Sequence, residues 1–204
     1  MIKTIIFDFG NVFINLDIEG AKNYALEKFG IDSISEEMTG FNCFYEQGLI
    51  STDEFLEFYS ENFPKLSKSE LIDIWNYILK DFPKHRLEFL KELKASSKYK
   101  LILLSNTNEL HINYIKQNVS FYENFKNCFD VFYLSYEINL VKPKRDIFEF
   151  VLKENNLKAN ECVFIDDNQE NINTANNLNI KTWHINPNHE DVTNLFKTKA
   201  IFFD

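Results

Sequence analysis

Residues 2–15 constrain the fold more than any other part of the chain. They read IKTIIFDFGNVFIN, and the apolar residues 5–7 run directly into Asp8 before the chain reaches Gly10. A short apolar run bounded by a glycine predicts a buried strand that ends in a turn. Open α/β sheets carry their chemistry at the carboxyl ends of such strands, so Asp8 is a candidate functional residue. The alternative is a core strand that happens to finish in an aspartate.

Beyond residue 85, short apolar runs alternate with segments of helical periodicity. Strands and helices in alternation are typical of a parallel sheet, so we predict an α/β fold with a Rossmann-like parallel sheet and helices on both faces. Cys162 and His184 fall inside predicted strands and are expected to be core residues. Besides the first strand, the runs predict strands at residues 101–104, 131–135, 162–165 and 181–185, and a short last strand at 200–203.

Residues 17–82 show helical patterns and no strand signal. Ser51 and Ser67 each stand three residues before a glutamate, which is the capping-box signature of a helix start. An all-helical block therefore interrupts the α/β pattern after its first strand, and we expect it to lie over the carboxyl edge of the sheet. The predicted domains are a core formed by residues 1–15 and 86–204 and an inserted helical cap formed by residues 16–85.

The charge balance restricts the partners. The 204 residues include 22 basic and 31 acidic side chains, which give a formal net charge of −9. Nucleic-acid binding depends on lysine and arginine that neutralise phosphates, so an acidic chain without a basic run argues against a nucleic-acid partner. A small anionic substrate needs only one or two local cations and backbone N–H groups, and it remains compatible with this charge.

Cysteine usage and hydropathy favour a reducing, aqueous compartment. The three cysteines are far apart and form neither a CxxC pair nor a cluster with zinc-type spacing. The N-terminus enters the first strand without the basic and apolar regions of a signal peptide. No apolar run approaches the roughly 18 residues that span a bilayer. We therefore expect a cytoplasmic protein with no membrane partner.

Polar side chains follow the predicted strands at the points where the strands end. Because the carboxyl ends of parallel strands meet at one edge of a sheet, we expect these side chains to converge on one crevice. Carboxylates there can bind Mg²⁺ and supply a nucleophile, and a hydroxyl, an amide and an ammonium can hold phosphoryl oxygens. Each segment alone also fits a helix cap or a solvated turn. The residues are Asp8, Ser105, Asn106, Lys142, Asp166 and Asp167.

These segments resemble the four motifs of the haloacid dehalogenase-like hydrolases. FDFGNV is similar to the first motif, LLSNTN to the second, VKPKRDIF to the third and FIDDNQENI to the fourth, in the family's order along essentially the whole chain. The helical block after the first motif is similar to the family's C1-type cap. With YEQGLIS at residues 45–51, the motifs most resemble a subgroup that contains a bacterial α-D-glucose-1-phosphate phosphatase.

The resemblance implies a nucleophile and a metal site. Asp8 would attack phosphorus and form an aspartyl-phosphate. The implied cofactor is Mg²⁺, which would be held by Asp8, by the backbone carbonyl of Gly10 and by Asp167, with Asp166 assisting. Mg²⁺ takes oxygen ligands in near-octahedral geometry, and it would anchor the phosphate and relieve the repulsion between anions.

The resemblance also implies how the phosphate is held. Ser105 and Asn106 would donate hydrogen bonds to phosphoryl oxygens. Lys142 would neutralise the charge that builds on the transferred oxygens, so it is expected to be both a phosphate-binding and a catalytic residue. The expected partner is a small phosphorylated substrate, such as a sugar phosphate.

Gly10 departs from the family pattern. The family's first motif has a second aspartate at this position, which protonates the leaving group and then activates water, and glycine can do neither. General acid–base help is worth about 10²–10⁴-fold in rate, so we expect a weaker or narrower enzyme that prefers leaving groups needing little protonation. Asp17, Tyr45 and Glu46 in the predicted cap are candidate substitutes, although each also fits a surface role.

The predicted function is a Mg²⁺-dependent phosphatase, and two alternatives remain open. A 2-haloacid dehalogenase would use Asp8 to attack carbon without a metal, and its first motif also lacks the second aspartate. Such an enzyme has no use for the adjacent acids Asp166 and Asp167. A binding module with a decayed site would explain Gly10, but it would not explain the retained acids and Lys142. The sequence does not decide the oligomeric state.

Overall fold

The computed structural model of the protein describes residues 1–203. Its strands form one parallel sheet in the order β3-β2-β1-β4-β5, which places β1 at the centre. The α/β fold class predicted from the sequence is thereby confirmed. The strands are β1 (Thr4–Phe7), β2 (Lys100–Ser105), β3 (Val131–Leu134), β4 (Cys162–Asp166) and β5 (Lys181–His184).

Helices precede, separate and follow these strands. Short 3₁₀ turns occur at Ala159–Glu161, Val192–Asn194 and Ala200–Phe202. The α-helices are α1 (Ile18–Phe29), α2 (Glu36–Glu46), α3 (Thr52–Asn62), α4 (Lys68–Asn76), α5 (Lys84–Ser96), α6 (Glu109–Asn118), α7 (Tyr122–Lys126), α8 (Ser135–Ile138), α9 (Arg145–Glu154), α10 (Gln169–Asn177) and α11 (Leu195–Thr198).

Alternating residues of β1 bury opposite faces of the sheet. Ile5 and Phe7 belong to a hydrophobic cluster that includes residues of α5, α6 and α7. Ile6 belongs to a second cluster that includes residues of α9 and α10. Successive side chains of a strand point to opposite faces, so a strand covered on both sides reads as a continuous apolar run. This explains the unbroken TIIF segment that leads to Asp8.

The inserted block, helices α1 to α4, has a hydrophobic cluster of its own. Phe55, Tyr59 and Leu71 are buried within it, and Leu110 at the start of α6 joins the same cluster. Helices α3 and α4 begin with the two capping boxes predicted from the sequence. The cap is therefore helical, as predicted, and it packs on α6. The domain division at residues 16–85 stays a prediction.

Two segments, which we call the cap connectors, link the cap to the core. The first is residues 15–17 and the second is residues 78–81. They run antiparallel: Leu16 pairs with Leu79, the Asp17 N–H donates to the Ile78 carbonyl over 2.9 Å, and the Asn15 N–H donates to the Asp81 carbonyl over 2.9 Å. This short ladder fixes where the cap begins relative to the end of β1.

Three local predictions differ from the structure. Residues 200–203 do not form a strand; Ala200–Phe202 is a 3₁₀ turn, and the Phe203 ring packs against Phe196 at a centroid distance of 4.7 Å. Helices α7 and α8 were not predicted, because segments of five and four residues are too short to show a helical period. His184 is exposed, whereas its neighbour Trp183 is buried, because adjacent side chains of β5 point to opposite faces.

Across residues 1–203, none of the helices combines the length and the apolar content that crossing a membrane would require.

Candidate active site

The carboxyl ends of the three central strands bring the predicted site residues together. Asp8 follows β1 directly, Ser105 is the last residue of β2, and Asp166 is the last residue of β4. These strands are neighbours in the sheet, and the Asp8 N–H donates to the Ile165 carbonyl of β4 over 2.9 Å. The sheet therefore places the Asp8 carboxylate, the Ser105 hydroxyl and the Asp166 carboxylate at one edge.

Lys142 joins two of the carboxylates. Its Nζ lies 2.8 Å from Asp8 Oδ1 and 2.7 Å from Asp166 Oδ2. Lys142 is buried, and Asp166 has no exposed surface. An ammonium at this depth is stable only because both carboxylates face it. The third motif thus supplies a fixed positive charge next to the candidate nucleophile.

Asp166 is fully engaged by the protein. Asp166 Oδ1 accepts from the Asn168 N–H over 2.7 Å, and the Asn171 Nδ2 lies 3.0 Å from both carboxylate oxygens. With Lys142 on Oδ2, each oxygen of Asp166 has two donors. Asp166 is therefore placed to orient Lys142. Asn171 was missed in the sequence analysis, although it lies in the FIDDNQENI segment, one helical turn beyond the paired acids.

Three acids could hold a metal ion at this edge. Carboxylate oxygens of Asp8, Asp166 and Asp167 lie within 4.8 Å of one another. Asp167 Oδ2 accepts from Asn11 Nδ2 over 2.8 Å, and its carbonyl lies 2.9 Å from His184 Nε2. Hard oxygen donors at this separation match the preference of Mg²⁺.

The electrostatics of the cluster favour an added cation. The pKa of the Asp8 carboxyl is raised to about 7, because burial, together with the negative charges of Asp166 and Asp167, outweighs the opposing effect of Lys142. Burial also raises the pKa of Asp167. For Lys142, burial opposes the charge, but Asp166 and Asp8 outweigh it and raise the pKa of the ammonium. Three carboxylates thus share one ammonium, and a divalent cation would balance the excess negative charge.

Asn106 directly follows β2, and its side chain binds the backbone of Lys142. Its Nδ2 donates to the Lys142 carbonyl over 2.8 Å, and its Oδ1 accepts from the Lys142 N–H over 2.9 Å. The Asn106 amide therefore holds the backbone of Lys142, and the role of Asn106 in binding a phosphoryl oxygen stays a prediction. The hydroxyl of Ser105 makes only a long contact, 3.4 Å to the Asn106 carbonyl, within residues 1–203. It remains available as a donor at the end of β2.

Gly10 lies in the turn after Asp8, where the cap connector approaches. A Cβ added to Gly10 would come within 2.6 Å of Leu16 Cδ1. The leucine of the first connector therefore takes part of the space that an aspartate at residue 10 would need. A residue without a side chain at this position therefore suits the packing of Leu16 from the first connector. The role of the Gly10 carbonyl as a metal ligand stays a prediction.

The three cap residues considered as acid–base substitutes have different surroundings. Asp17 caps α1 by accepting from the Gly20 N–H over 2.8 Å. Tyr45 is buried, not at the surface, and its hydroxyl lies 2.8 Å from Thr52 Oγ1. Glu46 ends α2, and burial raises the pKa of its carboxyl to about 6. Within residues 1–203, Glu46 is the one of the three whose side chain makes no hydrogen bond.

A family model for haloacid dehalogenase-like hydrolases matches residues 2–179. The matched region contains each polar strand end described above. It also contains the whole helical insertion.

Known proteins similar to this chain align over nearly its full length. A D-ribitol-5-phosphate phosphatase from Bacteroides thetaiotaomicron is 29% identical, and the alignment covers 90% of this chain and 91% of that protein. A HAD-family enzyme from the same species, solved as a magnesium complex, is 35% identical with a TM-score of 0.85, covering 96% of this chain and 98% of that one. A HAD-like family hydrolase from Porphyromonas gingivalis is 28% identical with a TM-score of 0.83, covering 100% of this chain and 98% of that one.

The HAD-family enzyme from Bacteroides thetaiotaomicron was also solved with magnesium and inorganic phosphate. That structure is 33% identical to this chain with a TM-score of 0.81, covering 96% of this chain and all of that one.

Proposed function

The chain belongs to the haloacid dehalogenase-like hydrolases, and from this premise we propose that it is a Mg²⁺-dependent phosphatase of small phosphorylated metabolites. The reaction proceeds through an aspartyl-phosphate on Asp8. The observation that carries the proposal is the arrangement of Asp8, Lys142 and the paired acids at one edge of the sheet, with an excess of negative charge. The magnesium complexes of a relative support the choice of metal, and the phosphate complex supports the reaction class.

The donor set fits Mg²⁺. Asp8 and Asp167 would contribute carboxylate oxygens, and Gly10 would contribute its carbonyl oxygen. Asp166, which holds Lys142, would assist them. Bound there, Mg²⁺ supplies an anchor for the substrate phosphate and relieves its repulsion from Asp8.

The protein's own groups then perform two displacements. The Asp8 carboxylate forms a bond to phosphorus, and the bond from phosphorus to the leaving oxygen breaks with its electron pair on that oxygen. Lys142 and the Ser105 hydroxyl stabilise the charge on the transferred oxygens. Water next forms a bond to phosphorus, the bond to Asp8 breaks, and inorganic phosphate leaves with the carboxylate regenerated.

Gly10 limits which leaving groups the site can expel. No side chain at residue 10 can protonate the departing oxygen, so leaving groups that tolerate negative charge should react fastest. Glu46 is a candidate in the cap, since its side chain makes no hydrogen bond within residues 1–203 and burial raises the pKa of its carboxyl to about 6.

We infer a sugar or sugar-alcohol phosphate as the substrate class. The relative named as a D-ribitol-5-phosphate phosphatase supports an open-chain polyol phosphate. The glucose-1-phosphate subgroup suggested by the sequence motifs is a finer assignment, and the relatives described above do not single it out. An anomeric phosphate would suit the missing acid at residue 10, because its leaving oxygen needs little protonation. Ribitol 5-phosphate has a primary alcohol as its leaving group and would need more help.

The test is phosphate release from a panel that includes ribitol 5-phosphate, glucose 1-phosphate and other small phosphorylated metabolites, with Mg²⁺ and with EDTA. We expect release that disappears with EDTA and returns with added Mg²⁺. Release that persists in EDTA would overturn the metal-dependent mechanism. If folded protein with Mg²⁺ releases no phosphate, the phosphatase assignment fails. Chloride release from 2-chloropropionate would then identify a dehalogenase, and its absence would favour a binding module.

A further inference from the structure

We propose that Asn11 is a positioning residue that orients Asp167 for a divalent cation and ties the first cap connector to the same site. The inference rests on the proposed function in one respect, since it takes Asp167 as a metal ligand. It assigns a role to a side chain that the four motifs leave without one.

Both ends of the Asn11 amide are in use. Its Nδ2 donates to Asp167 Oδ2 over 2.8 Å, and its Oδ1 accepts from the Leu16 N–H over 3.0 Å. The first contact spans the distance from β1 to β4, and the second reaches the cap connector. A carboxamide is planar, so its donor and acceptor ends turn together. If the Asp167 carboxylate reorients, the Asn11 amide turns with it, and the geometry of its hydrogen bond to the Leu16 N–H changes.

The backbone explains why asparagine can occupy this position. Asn11 has φ of 54°, in the left-handed region, and its N–H donates to the Ile14 carbonyl over 2.7 Å. Glycine adopts this conformation without strain, and asparagine tolerates it better than most other residues. The backbone alone would be satisfied by glycine, so the side chain has to be explained by what its amide binds.

Leu16 connects the Asn11 amide to the segments that lead into and out of the cap. It pairs with Leu79 of the second connector, and its Cδ1 lies over Gly10, at 2.6 Å from where a Cβ would stand. The Asn11 amide thus links Asp167 to Leu16, a residue of the first connector that contacts both the second connector and the turn after Asp8. A cation that draws Asp167 inward would strengthen the order of the connectors.

The first experiment measures Mg²⁺ binding by isothermal titration calorimetry without substrate. Asn11→Gly keeps the left-handed backbone and removes the amide, so we expect Mg²⁺ to bind about 10–100-fold more weakly than to the unaltered chain. Asn179→Gly is the matched control, because Asn179 is exposed and also has a positive φ, 62°. The control should bind Mg²⁺ as the unaltered chain does. Equal affinity in Asn11→Gly would overturn the positioning role.

The second experiment measures hydrogen exchange of the Leu16 amide by NMR with and without Mg²⁺. In the unaltered chain, Mg²⁺ should slow this exchange. In Asn11→Gly, exchange should be faster and should not respond to Mg²⁺, even at concentrations that saturate the weakened site. A response that survives in Asn11→Gly, or none in the unaltered chain, would overturn the link to the connector.

Neither measurement depends on phosphatase activity. If no member of the phosphate panel is hydrolysed but Mg²⁺ binding and Leu16 protection both depend on Asn11, the proposed function fails and this inference stands. If phosphate release depends on Mg²⁺ but the Asn11→Gly variant binds the metal normally, the proposed function stands and the positioning role of Asn11 fails.

Discussion

Two clusters of charged side chains in this protein differ in charge balance and in the direction in which their carboxyl pKa values are shifted. The acidic cluster consists of Asp8, Lys142, Asp166 and Asp167, and burial raises the pKa of Asp8 to about 7. The arginine cluster consists of Arg86, Asp191 and Asn15. There burial also raises the pKa of Asp191, but hydrogen bonds from Thr193, His85 and Arg86 outweigh it and hold the pKa well below its ordinary value.

The geometry explains this difference. Arg86 Nε donates to Asp191 Oδ2 over 2.9 Å, and its Nη1 donates to Asn15 Oδ1 over 2.8 Å and to the Phe13 carbonyl over 3.2 Å. The Arg86 charge is matched by one carboxylate, and its Nη1 donates to the loop that leaves β1. The arginine cluster is complete without a ligand, whereas the acidic cluster carries more negative than positive charge. We infer that the first stabilises the fold and the second is built to bind something positive.

Asp8→Asn should have the largest effect, and it should fall on turnover. The substitution removes the proposed nucleophile, so phosphate release should drop by more than about 10³-fold. The free energy of unfolding in EDTA should stay equal or rise, because a buried negative charge next to two other acids is removed. Steady-state kinetics and urea unfolding on the same preparation measure both.

Asp191→Asn is the matched control for that prediction. The substitution is chemically identical but lies in the arginine cluster, so it should lower stability and leave kcat of the folded enzyme within the same order of magnitude. If Asp8→Asn turns over at the normal rate, Asp8 is not the nucleophile. If it unfolds more easily than the unaltered chain in EDTA, the acidic cluster is not under repulsion.

Arg86→Met should have the largest effect on stability. Removing one partner of a buried ion pair typically costs 3–5 kcal/mol, and the partial exposure of Asp191 puts the expected loss near the lower limit, about 3 kcal/mol. Arg145→Met is the control, because Arg145 pairs with Glu149 on an exposed helix face. That change should cost less than about 1 kcal/mol. If both variants lose the same free energy of unfolding, the arginine cluster does not have the structural role assigned to it.

The two clusters also differ in how far they could be predicted from the sequence. The three acids of the acidic cluster were predictable because they stand at strand ends, which a parallel sheet brings together. Lys142 lies beyond α8 and was predicted from the third motif. Arg86 and Asp191 are 105 residues apart and follow no strand end, so only the folded chain shows that they meet. Asn11 and Asn171 lay inside recognised segments, but their partners depend on the side-chain packing of the finished site.

Other parts of the fold had weaker sequence signals. The apolar residues 200–203 fit a strand by composition, yet Ala200–Phe202 is a 3₁₀ turn. This turn lets the Phe203 ring pack against Phe196 and Tyr99. The Asn106 amide pairs with the backbone of Lys142. This contact could not be predicted, because the sequence does not reveal the path of the loop that carries Lys142.

Mg²⁺ should stabilise the protein through the acidic cluster. At a concentration 100 times the dissociation constant, a ligand that binds only the folded state adds about 2.7 kcal/mol. We expect this gain in the unaltered chain and in Asp191→Asn, and a much smaller one in Asp167→Asn at the same concentration. Chemical denaturation with MgCl₂ and with EDTA measures it. An undiminished gain in Asp167→Asn would show that the metal binds elsewhere.

The pH dependence of stability should have opposite signs in the two clusters. The pKa of Asp191 is lower in the folded state than the ordinary value of 3.8, so its contribution is present above that pH and is lost as the pH falls below it. The pKa of Asp8 without metal is raised to about 7, so its contribution is present below pH 3.8 and is lost as the pH rises toward 7.

Unfolding free energies in EDTA, compared with those of Asp191→Asn and Asp8→Asn at each pH, isolate the two contributions. The advantage of the unaltered chain over Asp191→Asn should shrink on acidification, and its stability relative to Asp8→Asn should shrink on raising the pH from 4 to 7. If both differences move in the same direction, the contrast between a balanced and an unbalanced cluster is wrong.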